Sequence, residues 1–116
     1  MLTILGSIKQ LLGIPEDVTI FDTEIIMGIN SALMSLNQLG IGPDAGFMIK
    51  GYLETWEELL GTVINLESVK TFVYLKTRLV FDPPSTGHLV EAINRQIQEL
   101  EWRIAVQKEE SEEPIV

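Results

Sequence analysis

Apolar residues recur at helical spacing in four stretches of this chain, and a fifth, shorter stretch begins with a helix-capping motif. Spacings of three and four residues place side chains on one face of a helix. The pattern predicts helices over about residues 2–12, 22–39, 55–61, 65–81 and 85–107. The fold class should therefore be all-α, a small bundle of four to five helices.

Glycine, proline and capping residues indicate where these helices begin and end. Gly13 should end the first helix, Gly40 the second and Gly61 the short third, since glycine tolerates the left-handed conformation that follows a helix. The fourth should stop at Asp82-Pro83-Pro84, because proline excludes the residue before it from the helical region. The predicted N-caps are Asp22, Thr55 (in a capping box with Glu58), Asn65 and Ser85.

The same spacing predicts which positions face the core. The fourth helix also fits one face of a β-strand, but it has no turn residue between Leu66 and Phe81, and that length favours a helix. The predicted core consists of Leu2, Leu5, Ile8, Leu11, Leu12, Ile25, Ile29, Ala32, Leu33, Leu36, Leu39, Val69, Phe72, Val73, Leu79, Val80, Leu89, Ile93, Ile97, Leu100 and Ile104.

Residues 40–53, which we call the arm, form a long apolar loop between the second and third helices. Its glycines prevent a continuous helix, yet its side chains are too apolar for a loop that is fully exposed to solvent. Two interpretations stay open: the arm folds back over its own core, or it packs against a neighbouring subunit. Its candidate contact residues are Phe47, Met48, Ile49, Tyr52 and Leu53.

The chain should form one domain over residues 1–107, followed by an acidic flexible tail over residues 108–116. The tail has high charge and almost nothing to bury, so alone it should be disordered. Two apolar residues at its end, Ile115 and Val116, are candidates for contact with a partner. The two tryptophans, Trp56 and Trp102, are further candidates, because large aromatic side chains are favoured at interface centres.

Composition removes several classes of function. Acids outnumber bases by 17 to 8, which disfavours specific binding to nucleic-acid phosphates. Without cysteine there is neither a disulfide nor a cysteine-type zinc site, and His88, the single histidine, has no neighbour at ligand spacing. Nucleotide-binding and catalytic motifs are absent, as is an apolar run long enough to span a membrane. We therefore predict no enzyme activity, no catalytic residues, no metal and no cofactor.

Three segments bear a resemblance to a known family. They are VKTFVYLKTRLVFDPP at residues 69–84, the helix that follows and ends in IQELEWRIAV, and FDTEIIMGINSALMSLNQLGIGP at residues 21–43. Together they resemble the small head–tail connector (adaptor) proteins of tailed phages and prophages. The resemblance covers most of residues 1–107 and is strongest at VYLKTRLVFDPP.

The resemblance implies a helical subunit that forms a homo-oligomeric ring of about a dozen copies, a closed assembly of head-to-tail contacts. The ring would dock on the portal protein, extend the channel for packaged DNA, and offer a surface to a stopper or tail-completion protein. The subunit would be found in the virion, and in the host bacterial cytoplasm during assembly. In this family the loop and the C-terminal segment make these contacts, which correspond here to residues 40–53 and to the stretch after residue 106.

The alternative is a free helical module that binds another protein through an apolar groove and has no role in a viral particle. Sizing separates the two, since a ring-former should assemble to high order or bind a portal ring. For the connector, an acidic channel would repel the DNA backbone and let it slide.

Overall fold

The computed structural model describes residues 3–61 and 66–112, with only the backbone described at residues 111 and 112. This part of the chain contains five helices and no named strand, so the all-α prediction is confirmed. Leu2 and Asn65, given roles above, lie outside the described residues. The helices are α1 (Ile4–Leu12), α2 (Asp22–Gln38), α3 (Trp56–Leu60), α4 (Leu66–Phe81) and α5 (Gly87–Glu112).

The centre of the bundle is the packing of α2 against α4, and α4 also contacts α5 and α1. The two central helices are antiparallel, because Phe21 at the start of α2 meets Phe81 at the end of α4, with 5.5 Å between ring centroids. The two helices approach each other closely at Gly28, where an added Cβ atom would lie 3.1 Å from Thr77 Cγ2 and 3.4 Å from Thr77 Cα. A larger side chain at residue 28 would push the helices apart.

Most of the predicted core is buried, but three predicted positions are not. Leu11, Val80 and Leu89 are 46%, 68% and 53% exposed, each at the end of a helical stripe where no neighbouring element covers it. Leu39, the last position of the α2 stripe, and Leu79, which precedes Val80 in the α4 stripe, are partly buried against the core. Periodicity therefore identified the faces correctly and overextended them at the ends.

Helix ends follow the predicted chemistry with two corrections. The capping box of Thr55 and Glu58 is present. Asp22 is the first residue of α2 and not its cap, since Phe21 occupies the cap position without a side-chain bond. At α5, Thr86 takes the place predicted for Ser85, and its hydroxyl accepts the backbone N–H of Leu89 at 3.4 Å.

The exit of α2 is the glycine turn that the sequence predicts. Gly40 has φ of 85°. Its N–H donates to the carbonyl of Asn37 at 3.0 Å, and the N–H of Ile41 donates to the carbonyl of Leu36 at 2.9 Å. These two bonds define a Schellman motif. They turn the chain back toward the core, where Ile41 is buried.

The last helix continues to Glu112, five residues beyond the predicted end at Gln107. No glycine or proline interrupts residues 108–112, and Lys and Glu are good helix formers, so the helix has no local reason to stop before Pro114. The boundary between domain and tail drawn at residue 107 therefore falls within a helix. The remainder of the predicted flexible tail, residues 113–116, lies outside the described residues.

Candidate interaction surfaces

A buried lysine lies where three segments of the chain meet. The side chain of Lys9 is 1% exposed and donates to Asp22 Oδ1 at 2.7 Å, at the start of α2. It also donates to the backbone carbonyls of Glu16 at 3.2 Å and Val18 at 2.6 Å, and to the Tyr52 hydroxyl in the arm. The ammonium group therefore connects α1, the link between α1 and α2, and the arm.

The surroundings of Lys9 keep it charged. Burial acts to lower its pKa, but hydrogen bonds with Asp22 and Tyr52 and the charge of Asp22 outweigh burial, so the pKa stands above its ordinary value of 10.5. A buried ammonium group requires such compensation. Lys9 is not among the predicted core residues, although its position four residues after Leu5 puts it on the apolar face of α1.

The arm runs back along α2 in the opposite direction and is hydrogen-bonded to it at three points. Near its start, the Asn37 side chain donates to the Pro43 carbonyl at 3.0 Å. In its middle, Asn30 donates to the Ile49 carbonyl at 3.0 Å and accepts the Ile49 N–H at 2.8 Å. Near its end, the Tyr52 hydroxyl contacts Asp22 Oδ2 at 3.1 Å.

The predicted contact residues divide into two groups. Ile49 and Trp56 are 2% and 3% exposed, and the Trp56 indole N–H donates to Ser7 Oγ at 3.0 Å, so both are core residues of this subunit. They are corrections to the predicted surface, because apolar bulk alone does not tell which face a side chain takes. Phe47 and Tyr52 are partly buried.

The second group faces solvent. Met48 is 66% exposed, Leu53 is 89% exposed and Trp102 is 66% exposed. Trp102 precedes the fully buried Ile104 by two residues, which places it on the opposite, outward side of α5. Ile115 and Val116 lie outside the described residues. The arm thus covers its own core with Ile41 and Ile49 while it presents Met48 and Leu53 outward.

An open groove of about 410 Å³ lies between α2 and residues 45–48 of the arm. Its walls are mainly apolar, and two exposed methionines, Met34 and Met48, stand at its edges. Methionine adapts its shape to different partners and is common at such surfaces. The groove is lined by Asn30, Leu33, Met34, Asn37, Ala45, Gly46, Phe47 and Met48.

A second apolar surface, which the sequence analysis missed, lies at the start of α2. Phe21 is 40% exposed beside Phe81, and their chain neighbours Ile20 and Val80 are 79% and 68% exposed. We call Ile20, Phe21, Val80 and Phe81 the end patch. Periodicity could not reveal it, because Ile20 and Phe21 precede the helix and Val80 was assigned to the core.

Charge on the described surface is mixed. On α5, Arg103 pairs with Glu99 at 2.7 Å and Arg95 with Glu91 at 3.9 Å, each acid lying four residues before its base. His88 is exposed in the first turn of the same helix. Within residues 3–61 and 66–112 there is no cluster of three or more side chains suited to a metal ion, and no helix is long and apolar enough to cross a membrane.

A comparison with known families bears directly on these surfaces. The sequence model of a family described as phage connector protein matches residues 4–111, nearly the whole chain. The chain belongs to the phage connector protein family. Membership supports a role at the phage head–tail connection, as a structural component of the virion that contacts other head or tail proteins. Neither the curated proteins nor the solved structures contain a significant match to this connector.

Proposed function

We propose that this connector is the subunit of a ring that docks on the portal protein, extends the DNA channel and offers the platform for a stopper or tail-completion protein. The ring would contain about a dozen copies, joined head to tail. Assembly would take place in the host bacterial cytoplasm, and the finished ring would remain at the head–tail interface of the virion. The subunit would have no enzymatic role.

The observation that carries this proposal is the exposure of large apolar side chains in separate places on a subunit whose core is otherwise closed. Leu53 projects from the arm and Trp102 from the outward side of α5. A closed ring needs two different faces that meet, one from each neighbour. Two distinct apolar surfaces on one small domain could form the two sides of such a contact.

In this proposal the interface residues have different tasks. Met48, Leu53 and the exposed part of Phe47 would contact a neighbouring subunit or the portal, with Trp102, on the outward side of α5, as a separate aromatic anchor. Ile115 and Val116 remain candidates for portal contact from the tail. Ile49, Tyr52 and Trp56 would act from inside the subunit, by holding the arm and α3 in place.

The net charge of −9 supports passage of DNA through the ring without specific binding. Carboxylates that face the channel would repel phosphates, and the effect should weaken with salt. Replacing channel-facing Glu residues by Gln should therefore increase DNA retention during ejection. Unchanged retention and ejection in particles with these variants would remove the basis for this part of the proposal.

The main test is the mass of the purified connector, alone and mixed with the portal protein of the same phage, by sedimentation velocity and native mass spectrometry. We expect a ring of connector subunits on the portal. A free connector that is monomeric agrees with the proposal, since the portal can serve as the template. Absence of both a portal complex and any high-order species would contradict it.

Two surface variants locate the interface. Leu53→Ser and Trp102→Ala should weaken assembly at least tenfold, because exposed anchors that become buried on binding contribute more than about 1.4 kcal/mol. Leu89→Ser is the matched control, an exposed leucine outside the proposed contact. Normal assembly of the first two variants, with loss in Val80→Ser, would transfer the interface to the end patch.

A second function, the free protein-binding module, is favoured by the groove between α2 and the arm. Its size and methionine edges suit an apolar helix from a partner. The same sizing experiment separates the two functions, because such a module stays monomeric or dimeric in the presence of a portal.

A further inference from the structure

The described bonds of the arm show what keeps it in place. Asn30 offers both an acceptor and a donor to the same residue, Ile49, and so reproduces the pair of bonds that a neighbouring strand would make. Ile49 is 2% exposed, so its backbone groups have little access to water as replacement partners. The middle of the arm is therefore attached through one side chain of α2.

The end of the arm is attached through Tyr52. Its hydroxyl accepts from Lys9 and lies within bonding distance of Asp22 Oδ2 and the Glu16 carbonyl. The Lys9 ammonium also lies 5.3 Å from the Tyr52 ring centroid, a favourable cation–π distance. A charged, buried partner strengthens such bonds relative to those between neutral groups.

These two attachments determine the direction of the exposed side chains. Met48 immediately precedes Ile49, and Leu53 immediately follows Tyr52. In extended backbone successive side chains point to opposite sides. Ile49 is buried and Met48 before it is exposed, while Tyr52 is partly buried and Leu53 after it is exposed. Each attached residue therefore lies beside a side chain that faces solvent.

We propose that Asn30 and Tyr52 are positioning residues, which hold the arm in its docking conformation in the free subunit before any partner is met. The inference rests on the proposed function, because it concerns how the arm contacts a neighbour or the portal. It goes further in assigning roles to two side chains that do not reach the partner. Assembly then needs no folding of the arm, and its rate depends on the fraction of subunits with the arm in place.

The first measurement is amide hydrogen exchange in the free connector. The informative amides are Gly46, whose N–H donates to the Pro43 carbonyl at 2.9 Å, and Lys50, whose N–H donates to Glu54 Oε2 at 3.0 Å. Neither bond involves Asn30 and both join residues within positions 43–54, so their exchange reports the order of the arm itself and not the direct loss of the Asn30 bonds. Asn30→Ala should accelerate exchange at both by about tenfold or more, since two internal bonds are lost. Asn94→Ala, the same change at an exposed position of α5, should leave both rates unchanged.

Two further variants guard against a general loss of folding. Tyr52→Phe keeps the ring and removes only the hydroxyl, and should accelerate exchange at Lys50 more than at Gly46. Gly51→Ala should slow exchange about two- to fivefold, because no atom lies within 4 Å of the added methyl and the opened arm loses freedom. Core amides of α4 should stay strongly protected in all variants, as expected of a folded core.

The second measurement is the rate at which each variant joins the portal protein. Asn30→Ala should join more slowly at subsaturating concentration, by the factor by which its fraction of subunits with the arm in place falls, and Gly51→Ala should join at least as fast as the wild type. Unchanged exchange at Gly46 and Lys50 in Asn30→Ala would overturn the inference. So would assembly of that variant at or above the wild-type rate, which would mean that the arm opens in order to dock.

The failures of the two proposals are distinguishable. A wild-type connector that neither binds its portal nor self-associates refutes the proposed function and, with it, the role of the arm in docking. A wild-type connector that assembles normally, beside an Asn30→Ala variant that assembles equally well, refutes only the positioning role.

Discussion

The packing of α2 against α4 and the packing of the arm against α2 use the same helix in different ways. On the α4 side, α2 presents small and branched apolar side chains and the backbone at Gly28. On the arm side it presents amides, with Asn30 and Asn37 bonded to backbone groups of the arm. One interface relies on area removed from water, and the other mainly on a few directed bonds with Ile41 and Ile49 as apolar anchors.

The difference shows how a small subunit can combine a stable core with a surface held in a defined conformation. Apolar burial is not directional, so it tolerates sliding, and a helix pair needs close contact such as Gly28 against Thr77 for its register. A loop with exposed apolar side chains cannot be fixed by further apolar burial without hiding the surface itself. Hydrogen bonds fix its direction and leave Met48 and Leu53 free.

The largest effect should come from the core. Phe72 is fully buried in α4, so Phe72→Ala should lower the free energy of unfolding by about 3–5 kcal/mol through lost transfer energy and a cavity. Urea denaturation followed by circular dichroism measures it. The exposed neighbour supplies the control, since Thr71→Ala should stay within about 0.5 kcal/mol. Unfolding of the arm alone in Phe72→Ala would show that α4 is not the core on which the other helices pack.

Removing the buried charge should be nearly as costly. Lys9→Met leaves Asp22 and the carbonyls of Glu16 and Val18 without their partner, and should lower the free energy of unfolding by about 3 kcal/mol. Because Asp22 is partly exposed, the effect should lie at the low end of the range for breaking a buried ion pair. Lys50→Met makes the same change at an exposed position of the arm and should have little effect. Equal urea midpoints for both variants would contradict a stabilising role for the contacts of Lys9.

The contact of α2 with α4 should resist added volume. Gly28→Leu forces a side chain against the Thr77 backbone, and we expect a loss of about 2 kcal/mol despite the better helix propensity of leucine. The neighbouring Met27 is 67% exposed, so Met27→Leu should be nearly neutral. Thermal unfolding of the two variants compares them, and equal stability would mean that the helices can separate at this point.

The smallest effect should be a dependence on alkaline pH. A folded-state pKa of Lys9 above 10.5 adds stability that is fully present below pH 10.5 and is lost as pH rises through the folded value. Urea midpoints of the wild type should therefore fall more than those of Lys9→Met as the pH rises above 10.5. Parallel curves for the two proteins would show that Lys9 gains nothing from its partners.

Much of the fold and part of the interaction surface were accessible from sequence, for local reasons. Helices, glycine exits and the Thr55 capping box depend on spacing and on backbone preferences within a few residues. The outward position of Trp102 follows from its offset relative to Ile104. By contrast, Ile49 and Leu53 look alike as apolar loop residues. Only the folded structure, in which Asn30 bonds Ile49 and Lys9 bonds Tyr52, places Ile49 inside and leaves Leu53 outside.

The sequence by itself determined that this connector is helical, where its helices turn, and to which family it belongs. Tertiary structure alone decided that Lys9 is buried with four partners, that Trp56 bonds Ser7 within the core, and that the arm returns along α2. The physical reason is range: helix formation and capping involve neighbours in the chain, whereas the bond between Lys9 and Tyr52 joins residues that are 43 positions apart. Only the folded arrangement of α1, α2 and the arm brings such groups together.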